Sequence, residues 1–137
     1  LLIASVWFGV GEARAQTVDT AVCVPFVMSP PGGVPKKYFV SCNGQVTGAA
    51  LVQYSKIVYI VEYFSTNGTT DTSLGSITWN AGAGAGTITY NAPGSIELTN
   101  PPPKGDKVFA RVTVEFTPGG GGAKVTKTRD SAKVEFP

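Results

Sequence analysis

Cys23 and Cys42 are the residues of this 137-residue chain best suited to chemistry, and that chemistry is disulfide formation. Pro30-Pro31-Gly32-Gly33 lies between them and reads as a turn. A hairpin folded about that turn brings Cys23 nearly opposite Cys42 on paired strands. An even cysteine count in an exported chain favours a bond. Closing a loop of about 20 residues would add about 3 kcal/mol. Two separately buried thiols are the alternative. A metal site would need more ligands, and the chain has no histidine.

No other spacing suggests catalysis. Neutral-pH enzymes need a base, a nucleophile or a metal. The acids Glu12, Asp19, Glu62, Asp71, Glu97, Asp106, Glu115, Asp130 and Glu135 are scattered. The expectation is a non-enzyme without catalytic residues, metal or cofactor. The glycine tract 81–86 lacks the Gly-Lys-Ser/Thr ending of a phosphate loop, and no helix follows it. Asn67-Gly68-Thr69 is an N-glycosylation sequon in a predicted turn; an ordinary Asn-Gly turn is the plainer reading. Tyr54, Tyr63, Trp79 and Tyr90 are candidates for a sugar-stacking face, with core packing as their ordinary role. Lys104, Lys107, Lys124, Lys127, Arg129 and Lys133 gather towards the C-terminus but alternate with acids, as on a solvated face. A net charge of +2 without a basic, aromatic stripe argues against nucleic acid.

The elements that must position these residues are strands. Charged residues make up 15% of the chain, against about 25% in ordinary soluble proteins. Seventeen glycines and ten prolines fall between alternating apolar runs. Residues 20–28 and 37–42 predict paired strands, with Pro25 at an edge or bulge; residues 45–54 could extend the second. Residues 56–64 are apolar on both faces and predict a central strand. Residues 74–80 and 86–91 read as a hairpin, and 95–99 as a short strand stopped by Pro101-Pro102-Pro103. In 107–116, Val108, Ala110, Val112, Val114 and Phe116 share one face. The chain then returns with Val125, Ala132, Val134 and Phe136 towards the core. The expected fold is all-β: an immunoglobulin-like antiparallel β-sandwich of seven to nine strands with an apolar N-terminal arm.

That arm carries the strongest functional signal. Leu1, Leu2, Ile3, Ala4, Val6, Trp7, Phe8 and Val10 dominate an uncharged run, and Ala13-Arg14-Ala15 follows it. Small residues after an apolar run are the end of a secretory signal. No initiator Met or basic region precedes the run, so an upstream part is expected to be missing. The run is shorter than the roughly 18 apolar residues of a membrane span. Three readings stand. The segment is a cleaved signal peptide; or a strand that completes a neighbour's sheet; or a helix packed in a filament core. An arm of this kind would bury about 500–700 Å² of apolar surface, a gross gain of over about 10 kcal/mol before ordering costs.

The greasy N-terminal segment, the small Gly/Thr-rich β-domain and the few charges resemble subunits of extracellular filaments, both donor-strand pilins and archaeal type IV pilins with immunoglobulin-like domains. The resemblance is one of layout across the whole chain. It implies two parts, residues 1–15 as arm and 16–137 as domain. It further implies a structural pilus-like subunit on the cell surface, partnered by copies of itself and touching the membrane only during export. The alternative is a secreted adhesion module, for a surface glycan or protein, with the segment removed.

Overall fold

The computed structural model describes residues 17–48, 54–81, 86–92, 94–120 and 122–137. The expected arm, residues 1–15, lies outside them. Among the described residues the chain is all-β and forms two antiparallel sheets. The strands are β1 (Thr17–Met28), β2 (Lys37–Gly48), β3 (Tyr54–Thr66), β4 (Asp71–Ala81), β5 (Gly86–Asn91), β6 (Ile96–Glu97), β7 (Lys107–Pro118), β8 (Val125–Asp130) and β9 (Val134–Glu135). One sheet runs β1-β2-β5, with β6 also on β2; the other runs β4-β3-β7-β8, with β9 on β7.

Alternation explains which faces meet. On β7, Val108, Ala110, Val112, Val114 and Phe116 are fully buried, as their period-two spacing predicts. On β3, Ile57, Tyr59, Val61 and Tyr63 are equally buried, and β3 pairs with both β4 and β7. It is therefore central, as its two apolar faces predict. From the other sheet, Ala21, Cys23, Val40, Cys42, Val46 and Tyr90 close the core. The ambiguous stretch after Cys42 continues β2 without a break to Gly48. Pro25 sits on β1, an edge strand, where its missing N–H leaves no ladder bond unmade.

One extra residue corrects the alternation of β1. Val18 pairs with Val46 and Thr20 with Gln45, so Asp19 forms a bulge. The bulge lets Val18 and Ala21, three apart, both face inward.

Two expectations are corrected. Residues 74–80 and 86–91 do not form a hairpin: β4 pairs with β3, whereas β5 pairs with β2 in the opposite sheet. β4 and β5 therefore belong to different sheets, and Tyr90 of β5 packs on Tyr59 of β3 across the core with ring centroids 5.1 Å apart. Ala132 and Val134 are exposed, while Phe136 is buried and Val125 half-buried. The reason is Ser131, which is itself buried. Its N–H donates to the Ala110 carbonyl, and its hydroxyl accepts from the Ala110 N–H at 2.9 Å. This local exchange ends β8 and resets the face of residues 132–136.

Candidate functional site

The two cysteines meet where the hairpin argument puts them. Cys23 is the direct cross-strand partner of Cys42 on the inner face of β1 and β2. Both are free thiols in this structure, 3% and 2% exposed. Burial pushes the Cys23 thiol up to about 12, with the neighbouring Cys42 adding to it. Burial also pushes Cys42 up to about 11, against the Val22 backbone N–H and the neighbouring Tyr90 side chain, which act in the opposite direction. The tyrosines around them respond alike: desolvation raises the hydroxyls of Tyr59, Tyr63 and Tyr90 above the ordinary range. The Tyr59 and Tyr63 hydroxyls are buried with no hydrogen-bond partner among the described residues.

Beside the thiols lies a contact that the sequence did not signal. The Tyr90 side chain reaches from β5 across β2 and donates its hydroxyl proton to the Thr20 carbonyl of β1 at 2.9 Å. It passes directly over Gly44. A Cβ on Gly44 would stand 2.0 Å from the Thr20 oxygen and 2.5 Å from the Tyr90 hydroxyl oxygen. Glycine is required here for close approach, and β1, β2 and β5 are tied together at that point. Gly44 alone looks like one of many glycines; only the strand register gives it meaning.

The outer face of β1 is unusually apolar. Val22 is 48% exposed and Met28 53%, and Val24 is also exposed. The Phe26 and Phe39 rings stack beside them at 5.2 Å. The signal for this stripe was the run of apolar residues on both faces of 20–28.

The remaining candidates do not converge. Tyr63 and Tyr90 are core residues. Trp79 is half-buried and stacks on Tyr59, and Tyr54 packs on Phe116. These four line no common outward sugar face. The basic residues are spread and partly engaged: Lys124 reaches Glu115 at 3.4 Å, and Lys133 lies over the Phe109 ring. Arg111 holds Asp130 through two nitrogens while lying over the Phe64 ring. Asn67 is exposed in the β3–β4 turn, where its side-chain oxygen accepts from the N–H groups of Thr69 and Thr70. That leaves its amide nitrogen, the atom a glycan would join, outside these two bonds. A depression of about 330 Å³ beside it is walled by Asp106, Lys107 and Lys133. No three metal-ligating side chains gather among the described residues. Among these residues no helix is long and apolar enough to cross a membrane. No family model, curated protein or solved structure matches this chain.

Proposed function

We propose that the chain is a structural subunit of an extracellular, pilus-like filament, polymerised through apolar residues 1–10, with the β-domain as its outer body. We read that domain as immunoglobulin-like, because a four-stranded sheet faces a five-stranded one with β2–β3, β4–β5 and β6–β7 crossing between them. The supporting observation is the uncharged apolar run of residues 1–10, joined to a β-domain whose described strands pack their inner faces against one another. Apolar surface of that kind is buried by association if it is retained, and a neighbouring subunit is a natural place for it. The arm would also enter the domain at Thr17, the first residue of an edge strand.

A second reading has its own support. β1 begins two residues beyond Ala15, so a cut after Ala13-Arg14-Ala15 would leave the domain whole. The product would be a secreted or surface-bound adhesion module for a glycan or protein. The apolar outer stripe of β1 would then be its first candidate contact.

Sedimentation and electron microscopy of the full chain and of a chain lacking residues 1–15 separate the two. The filament account expects fibres from the full chain and monomers with an unchanged β circular-dichroism spectrum from the truncated one. A full chain that stays monomeric at high concentration overturns it.

A further inference from the structure

We propose that Cys23 and Cys42 act as a one-time redox latch on edge strand β1: they are joined by disulfide exchange while the paired β1–β2 hairpin stands clear of the second sheet, and docking of that hairpin then seals the pair in whichever state, bonded or dithiol, it has reached.

The position makes the bond geometrically simple. Directly opposed residues of an antiparallel pair have Cα atoms about 4.5–5.5 Å apart. A disulfide spans about 4.4–6.8 Å. Both side chains face the same side of the sheet, so no backbone shift is needed. The two strands are joined by a local turn in which Gly32 and Gly33 adopt positive φ, 80° and 76°, as a chain reversal there requires.

The same position makes the pair unreachable once the hairpin has docked. Exchange requires a thiolate and the approach of a third sulfur to the one attacked. Both sulfurs lie between the sheets, with the Tyr90 hydroxyl against Cys42 and Tyr63 near both. Burial also keeps the thiols protonated, so their thiolate fraction at neutral pH falls to about 10⁻⁴ or less, against a few per cent for a free cysteine.

The reaction therefore belongs to the stage before docking. The oxidant is a disulfide, either of a dithiol oxidoreductase or of a small thiol in an oxidising compartment. One cysteine, as thiolate, attacks it, forms a mixed disulfide and expels one thiolate. The second cysteine then attacks the first sulfur and expels the other thiolate. Two protein thiols become one disulfide, the oxidant becomes two thiols, and the cysteine protons pass to the departing thiolates. The folded domain thereafter keeps a record of the compartment in which it folded.

The test uses the full chain refolded in two ways, with an oxidised/reduced glutathione mixture and with reductant alone. The first product is expected to be two hydrogens lighter by intact mass. Each folded form is then challenged in native buffer and in urea, the dithiol with N-ethylmaleimide and oxidised glutathione, the disulfide with dithiothreitol. The latch predicts reaction at least a hundredfold slower in native buffer than in urea, for both forms. Folded dithiol that reacts within tenfold of its urea rate overturns the seal. Refolding with glutathione that leaves both thiols free overturns the bond. Neither outcome depends on whether residues 1–10 drive assembly.

Discussion

Replacing Gly44 with alanine tests the packing of the first sheet at its tightest point. The new methyl group would stand 2.0 Å from a backbone oxygen, that of Thr20, and 2.5 Å from the Tyr90 hydroxyl oxygen. The carbonyl is a backbone atom, so it cannot swing aside as a flexible side-chain end can. Overpacking of this kind costs about 1–3 kcal/mol. Pushing Tyr90 off Thr20 forfeits a further hydrogen bond worth about 1 kcal/mol. Gly44→Ala is therefore expected to destabilise the domain by about 3 kcal/mol, a fall in Tm of about 10 °C for a domain of this size. Gly120→Ala is the control, because a Cβ there meets nothing within 4 Å. Urea and thermal unfolding followed by circular dichroism measure both. If Gly44→Ala lies within 0.5 kcal/mol of the parent, as ~0 is expected for the control, the argument from close approach is wrong.

Other outcomes follow from the buried ionisable groups. Thiols raised by burial stabilise the fold fully below their unfolded value near 8.5, and that stability is lost as pH rises towards their folded values. The dithiol form should thus begin to lose stability at about pH 8.5, and the disulfide form only at about pH 10, where the tyrosines start to ionise on unfolding; equal alkaline profiles would contradict this. At pH 7 the disulfide form should be the more stable by about 3 kcal/mol in urea titrations. Asp19 is held below the usual carboxylate range by the hydroxyls of Thr17 and Thr47, with help from Arg129. Its contribution is present above about pH 4 and lost as pH falls through its folded value. Asp19→Asn should therefore shrink the stability difference between pH 7 and pH 3, and an unchanged difference would count against it. Tyr63→Phe removes a buried hydroxyl that has no partner among the described residues, so it should be neutral or stabilise by up to about 1 kcal/mol. A loss above about 1 kcal/mol would reveal a partner, such as a bound water.

What the sequence made legible was periodicity and punctuation. The clean alternation of β7, the two apolar faces of β3 and the Pro-Gly turn between the cysteines each had a local physical cause. From these came the buried faces, the central strand and the Cys23/Cys42 register. Choices between sheets were not legible. Nothing local in 74–91 says that β4 and β5 part company, because each pairs with a strand outside that stretch, β4 with β3 and β5 with β2. The outward turn of Ala132 and Val134 was hidden for a similar reason: Ser131 replaces a ladder position with its own side chain. Among the candidate site residues, the cysteines were legible because a hairpin is a local structure. The role of Gly44 was not, since it depends on Thr20 and Tyr90, which are distant in sequence.

The central claim is that the apolar segment survives export and joins subunits. The direct measurement is tryptic mapping, with intact mass, of the protein recovered from outside the cell. The filament account predicts a peptide that ends at Arg14 and carries Trp7 and Phe8. A semi-tryptic peptide beginning at Gln16, with no trace of residues 1–14, would contradict it and leave a secreted binding domain in its place.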